Sequence, residues 1–156
     1  ASGAQPEPLS VTVDREQISA GLGDDLGFRT TIANPAATST VALIAHLNFL
    51  SLREGVYVDP EDWSPQRTWY VGAIPAGESR TITWSIKAVN GGSFAAYVAV
   101  LPQNSPSGAP TASPTVEIDV AERKTLNSGG ILPLALGIPA FLGLMAGGVR
   151  LARRRR

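Results

Sequence analysis

Cysteine is absent from the 156 residues. Its absence excludes disulfides, thiol nucleophiles and thiolate metal sites. Histidine occurs once, at His46. A lone imidazole needs partner side chains before it can act as a base or hold a metal. His46 falls beside Asn48 on the more polar face of an alternating stretch, where an ordinary hydrogen-bonded histidine is expected. Serines are plentiful, yet there is no G-x-S-x-G elbow. No G-x-G-x-x-G turn and no P-loop occurs either. Asp59, Glu61 and Asp62 could offer oxygens to calcium, but Pro60 interrupts them and the alternating Asp spacing is missing. A solvated acidic loop is the simpler reading. These gaps lead us to expect no enzyme activity, no cofactor and no metal.

A strongly basic domain is also missing. The formal net charge is zero, but five of the 13 basic residues are Arg150, Arg153, Arg154, Arg155 and Arg156. All 13 acidic residues precede them, so the chain ahead of residue 131 carries eight basic residues, a formal −5. An acidic domain argues against nucleic acid as a partner. The chain opens on the small polar run Ala1-Ser2-Gly3-Ala4, which fits a mature end left by signal-peptide removal. A small exported domain without disulfides is common among bacteria and archaea.

Amphipathic helix patterns are lacking between residues 9 and 121, and period-two alternation fills the space. Leu9, Val11 and Val13 alternate with polar residues, as do Leu26, Phe28, Thr30 and Ile32. Val41, Leu43, Ala45, Leu47 and Phe49 form one face of a third strand. Val56–Val58 predicts a short strand, Asp59–Pro65 a loop, and 68–74 a strand of uncertain register. Ile82, Trp84 and Ile86 give the clearest alternation, followed by Phe94, Ala96, Val98 and Val100. Residues 102–114 are a Pro/Ser/Gly-rich loop, and Val116, Ile118 and Val120 close the series. About seven to eight short strands without intervening helices predict an all-β, immunoglobulin-like antiparallel β-sandwich over residues 9–121, with Trp84 as its largest plug. Burying one such ring contributes about 2–3 kcal/mol. Trp63, Trp69 and Tyr70 flank the acidic loop and are candidates for a surface that stacks on sugar rings, against the simpler reading that they pack a sandwich edge.

Three motifs carry a resemblance. They are Ile32-Ala33-Asn34-Pro35, then Ile74-Pro75-Ala76-Gly77-Glu78-Ser79 leading into Thr81-Ile82-Thr83-Trp84, then Gly92-Ser93-Phe94. Together they resemble prokaryotic immunoglobulin-like domains of the CARDB, DUF11 and NEW3 types. Phe94 stands where those domains often have tyrosine, so no tyrosine-corner hydroxyl bond is implied. The resemblance implies a non-catalytic module used for adhesion, spacing or assembly at cell surfaces.

The remaining stretch is the one long apolar run, residues 131–151, closed by an arginine-rich tail at 152–156. Twenty-one residues of helix rise about 31 Å, the thickness of a bilayer's hydrocarbon core. Arginines beside a span stay on the cytoplasmic side. The expectation is a single-pass plasma-membrane protein. Residues 1–8 form a lead, the sandwich lies outside, residues 122–130 form a short linker and the C-terminus lies in the cytoplasm. Membrane lipid is then one partner.

Three functions fit this arrangement: an accessory or assembly subunit of a larger membrane complex, an anchored protein- or carbohydrate-binding module, or a sorting-protease substrate cut near Ser128-Gly129-Gly130. Ala135, Pro139, Gly143 and Gly147 recur every four residues and so share one helical face. Small residues let helix backbones approach in lipid, which favours another transmembrane subunit as the neighbour. Gly143→Leu and Gly147→Leu are expected to release the protein from its complex without unfolding the N-terminal domain. Co-purification in mild detergent measures this, and unchanged recovery of the same partners by both variants would remove any role for the stripe.

Overall fold

The computed structural model describes residues 8–105 and 109–122. The expected span at 131–151, its small-residue face and the terminal arginines lie outside the described residues, as do residues 123–130 of the linker. No helix among the described residues is long and apolar enough to cross a membrane. The elements in chain order are β1 (Ser10–Val13), β2 (Gln17–Gly21), β3 (Asp25–Ala33), β4 (Leu43–Ser51), α1 (Pro60–Trp63), β5 (Thr68–Gly72), β6 (Ser79–Lys87), β7 (Gly92–Pro102), β8 (Thr111–Ala112) and β9 (Val116–Ala121). They form two sheets. One is three-stranded, β1-β3-β6; the other is six-stranded, β2-β9-β7-β4-β5, with β8 paired to β7.

The alternation in sequence becomes the core. Phe28, Ile32, Ile82, Trp84 and Ile86 point inward from the three-stranded sheet. Leu43, Ala45, Leu47, Phe49, Phe94, Ala96, Val98, Val100, Val116, Ile118 and Val120 meet them from the other. Thr30 also points inward, and its Oγ1 accepts a hydrogen bond from Trp84 Nε1 at 3.0 Å. That bond satisfies two polar groups which would otherwise be costly to bury.

The strand count and pairing differ from the expectation in definite ways. Nine strands form among the described residues, rather than seven or eight. β2 was not foreseen because Ile18 and Ala20 are its only apolar residues, which is enough for an edge strand but too little for a pattern. β2 also pairs parallel with β9, so the sandwich is not wholly antiparallel. The chain reaches β2 by changing sheets at Asp14. Its carboxylate accepts the Arg29 N–H at 2.7 Å, and its own N–H donates to Arg29 O at 3.0 Å. The Arg29 backbone bond holds the Asp14 carboxyl below its ordinary value, with the Arg29 and Arg15 side chains adding to it against some desolvation.

Val56–Val58 is not a strand. Val56 and Val58 are half-buried while Tyr57 is 80% exposed, but no ladder forms there. The acidic loop contains one helical turn, α1, capped by Asp59, whose carboxylate accepts the Glu61 N–H. That turn carries Trp63 into the core, fully buried, 4.5 Å from the Phe94 ring and 5.7 Å from Phe49. The core therefore has two tryptophan plugs, not one.

The two indoles differ in one respect. Trp84 is hydrogen-bonded, whereas Trp63 Nε1 is buried with no hydrogen-bond partner among the described residues. Trp84→Phe strands the Thr30 hydroxyl; Trp63→Phe removes an N–H that has no such partner to lose. Chemical denaturation is expected to show Trp84→Phe as the more destabilising by about 1–3 kcal/mol. Equal losses would mean that the Thr30 bond contributes nothing net.

Candidate functional site

The sandwich has two outward faces, and their chemistry differs. On the three-stranded sheet the outward positions are Ser10 and Thr12 of β1, Arg29 and Thr31 of β3, and Thr81, Thr83, Ser85 and Lys87 of β6. The Thr31 and Thr81 hydroxyls meet across the ladder at 3.1 Å. Small hydroxyls and charged tips are what a solvent-facing sheet carries.

The six-stranded sheet is dressed differently. Register places Tyr70, Ile44 and Leu101 in one outward row across β5, β4 and β7. Asn48 pairs with Tyr97 in another row, and Leu50 with Ala95 in a third. Leu52 continues this side beyond β4, its N–H donating to Ser93 O at 3.0 Å. Tyr70 is 73% exposed, and Leu50 and Leu52 just over half. Strands packed on one face alone alternate apolar with polar. β7, by contrast, runs Phe-Ala-Ala-Tyr-Val-Ala-Val-Leu over 94–101, apolar on both sides.

His46 lies in this face. Its Nδ1 sits 2.8 Å from Thr68 Oγ1, directly across the β4–β5 ladder. Burial lowers its pKa below the ordinary imidazole value, and the positive charge of Arg67 lowers it further. The surrounding cleft, about 580 Å³, is lined by His46, Glu61, Pro65, Gln66, Arg67 and Thr68. Arg67 is occupied by Glu61 at 3.4 Å. No carboxylate hydrogen-bonds the imidazole among the described residues. A second cleft of about 490 Å³, at the opposite flank of the face, is lined by Glu16, Gln17, Leu52, Ala95, Thr115 and Glu117.

The three candidates for a sugar-stacking surface, Trp63, Trp69 and Tyr70, do not share one surface. Trp63 is wholly buried and leaves the candidate surface. Trp69 and Tyr70 are exposed, but adjacent residues of a strand point to opposite sides. Trp69 pairs with the inward-facing Ala45, and Tyr70 with the outward-facing Ile44. The sequence did not single out Leu50, Leu52, Tyr97 and Leu101, although the unbroken apolar run of β7 was the signal for them.

No family model matches the sequence, and no curated protein matches it. Solved structures do resemble the fold. A CARDB domain from Pyrococcus furiosus, crystallised in complex with di-metal ions, superposes with a TM-score of 0.51 at 11% identity, over 72% of this chain and 92% of that one. The solution structure of the same domain gives 0.51 and 11%, over 72% and 94%. A chain from a structure on T cell specificity and activation by the bacterial superantigen toxic shock syndrome toxin-1 gives 0.50 at 9% identity, over 73% and 100%. The chain thus has an Ig-like β-sandwich fold similar to that of the CARDB domain. At such identities the likeness extends to fold alone. Among the described residues, no group of three or more His, Cys, Asp or Glu side chains could hold a metal ion.

The lowered pKa of His46 has a pH consequence. The fold favours the neutral ring, so its contribution to stability is fully present above the ordinary imidazole value. It is lost as pH falls through the lowered one. An NMR titration is expected to place the His46 midpoint below that of a free imidazole. Arg67→Gln should raise the midpoint only part of the way, because burial remains. An unmoved midpoint in that variant would remove Arg67 as a cause.

Proposed function

We propose that this chain is a non-catalytic, membrane-anchored assembly module whose Ig-like sandwich docks another protein on the outward face of the six-stranded sheet. The observation that carries the reading is the inequality of the two faces. One is dressed in threonine, serine, arginine and lysine. The other carries Tyr70, Ile44 and Leu101 on one side of the Thr68–His46–Ala99 row and Tyr97 and Leu50 on the other, with Glu117 and Asp119 beside them on β9. Large apolar side chains gathered on the surface of a small domain mark an interaction surface more often than a solvent face. Aromatic residues at its centre are typical of protein interfaces.

The anchor belongs to the same reading. Residues 131–151 span the membrane, the arginines at 150 and 153–156 hold the C-terminus inside, and the sandwich works outside. The partner is then another subunit of a membrane complex. The di-metal ions of the Pyrococcus furiosus domain are not carried over, because the donor groups for them are not assembled among the described residues. A sugar platform is less favoured once Trp63 is withdrawn into the core.

The test is site-specific cross-linking in native membranes. A photoreactive residue at Tyr97 is expected to give adducts with another protein. The same residue at Thr83, on the opposite sheet, should give few. Equal adduct yields at the two positions would contradict the reading.

A further inference from the structure

Resting on that reading, we infer that the partner's docking surface is apolar and bordered by lysine or arginine. We place that border at the corner of the sheet formed by the end of β4 and the start of β2. Leu50 and Leu52 stand exposed at this corner, above Ala95. The cleft beside them has an apolar floor of Leu52 and Ala95 and two carboxylates, Glu16 and Glu117, on its flank. The backbone runs the two residues side by side, the Glu117 N–H donating to Glu16 O at 2.7 Å. Neither acid has an ion-pair partner among the described residues, in contrast to Asp14, Glu61, Glu78 and Glu122. Gln17 and Thr115 complete the lining with neutral hydrogen-bonding groups.

Charge decides among the possible occupants. The described residues include twelve acidic and six basic side chains, so the domain is a net anion. A second copy would bring its own Glu16 and Glu117 and the same excess of negative charge, and like charges across an interface are unfavourable. Anionic lipid headgroups repel the corner for the same reason. A protein segment with apolar side chains for Leu50 and Leu52 and a cation for the two carboxylates meets every feature. The stem of a lysine or arginine lies on an apolar floor while its head reaches the acids.

The experiment uses the full chain in native membranes, with a photoreactive residue at Leu50 as the probe. The expected adduct is with a protein segment that carries lysine or arginine close to the linked position in mass-spectrometric sequencing. Its yield should fall with added salt. It should fall by about threefold or more in the Glu16→Lys/Glu117→Lys variant, and less in Glu16→Gln/Glu117→Gln. Thr83→Lys, a charge added on the opposite sheet, should leave it unaltered. An adduct with lipid, an adduct with a second copy, or a protein adduct indifferent to salt and to both double variants would each overturn the inference. No adduct from Leu50 while Tyr97 still cross-links would overturn it too, leaving the assembly role standing. Failure at both positions would remove the assembly role itself.

Discussion

The side-chain amide of Asn34 ties one end of the sandwich together. It is 3% exposed, and its Nδ2 faces Thr38 O at 2.8 Å, Ile74 O at 2.9 Å and Pro75 O at 3.1 Å. Two protons are shared among these three carbonyls. Its Oδ1 accepts the Ala36 N–H, its backbone N–H donates to Glu78 O, and its carbonyl accepts from Gly77. Through one residue, the β3–β4 connection is bound to the turn that sends the chain from β5 into β6. That turn needs Gly77 at φ 72°, a conformation that side chains other than glycine's resist. Thr40 adds a second tie, its Oγ1 accepting from Ile74 N. Both crossings between the sheets at this end depend on these bonds. Any buried polar group left unpaired here would cost about 1–3 kcal/mol.

With the ends fixed, the two sheets meet through inward rows that leave no choice of register. A one-residue slip in β6 would expose Ile82, Trp84 and Ile86 together and break the Trp84–Thr30 bond. The outward rows are under no such constraint, so their composition is informative. The three-stranded sheet uses that freedom for hydroxyls and charges. The six-stranded sheet does so on β2 and β9, with Gln17, Ser19, Glu117 and Asp119, but its Tyr97, Leu101 and Leu50 have no role in the core to account for them. At the edge of that sheet, Leu43 pairs with Gly72 while Ile44 pairs with Tyr70, so Val71 bulges. Gly72 has φ 75°. A bulge bends an edge strand away from pairing with another chain. The bulge therefore disfavours strand addition at this edge.

Much of the fold was legible in the chain. Alternation at 82–86 and 94–100 located β6 and β7, and Asn34-Pro35 with Pro75-Ala76-Gly77-Glu78 marked what proved to be a single hydrogen-bonded unit. What escaped notice had physical reasons. β2 has too few apolar residues to alternate. The parallel pairing of β2 with β9 depends on a change of sheet at Asp14 that no local pattern announces. Trp63 follows an acidic stretch, which suggests a sandwich edge or a surface, yet one helical turn capped by Asp59 swings it into the core between Phe49 and Phe94. The candidate surface was least legible, because it consists of positions left over once the core has been assigned. Its one clear mark, the apolar run of β7, reads equally as a strand buried on both sides.

The most direct measurement is oxidative footprinting of the tyrosines, comparing the chain in native membranes with the same chain purified. Tyr57, on the connection after β4, serves as the internal reference for Tyr70 and Tyr97 on the face. The expected result is that Tyr70 and Tyr97 are modified more slowly, relative to Tyr57, in the membrane than after purification. Identical relative rates in the two preparations would mean that the apolar face is open to solvent where the protein works, and would contradict an assembly role for it.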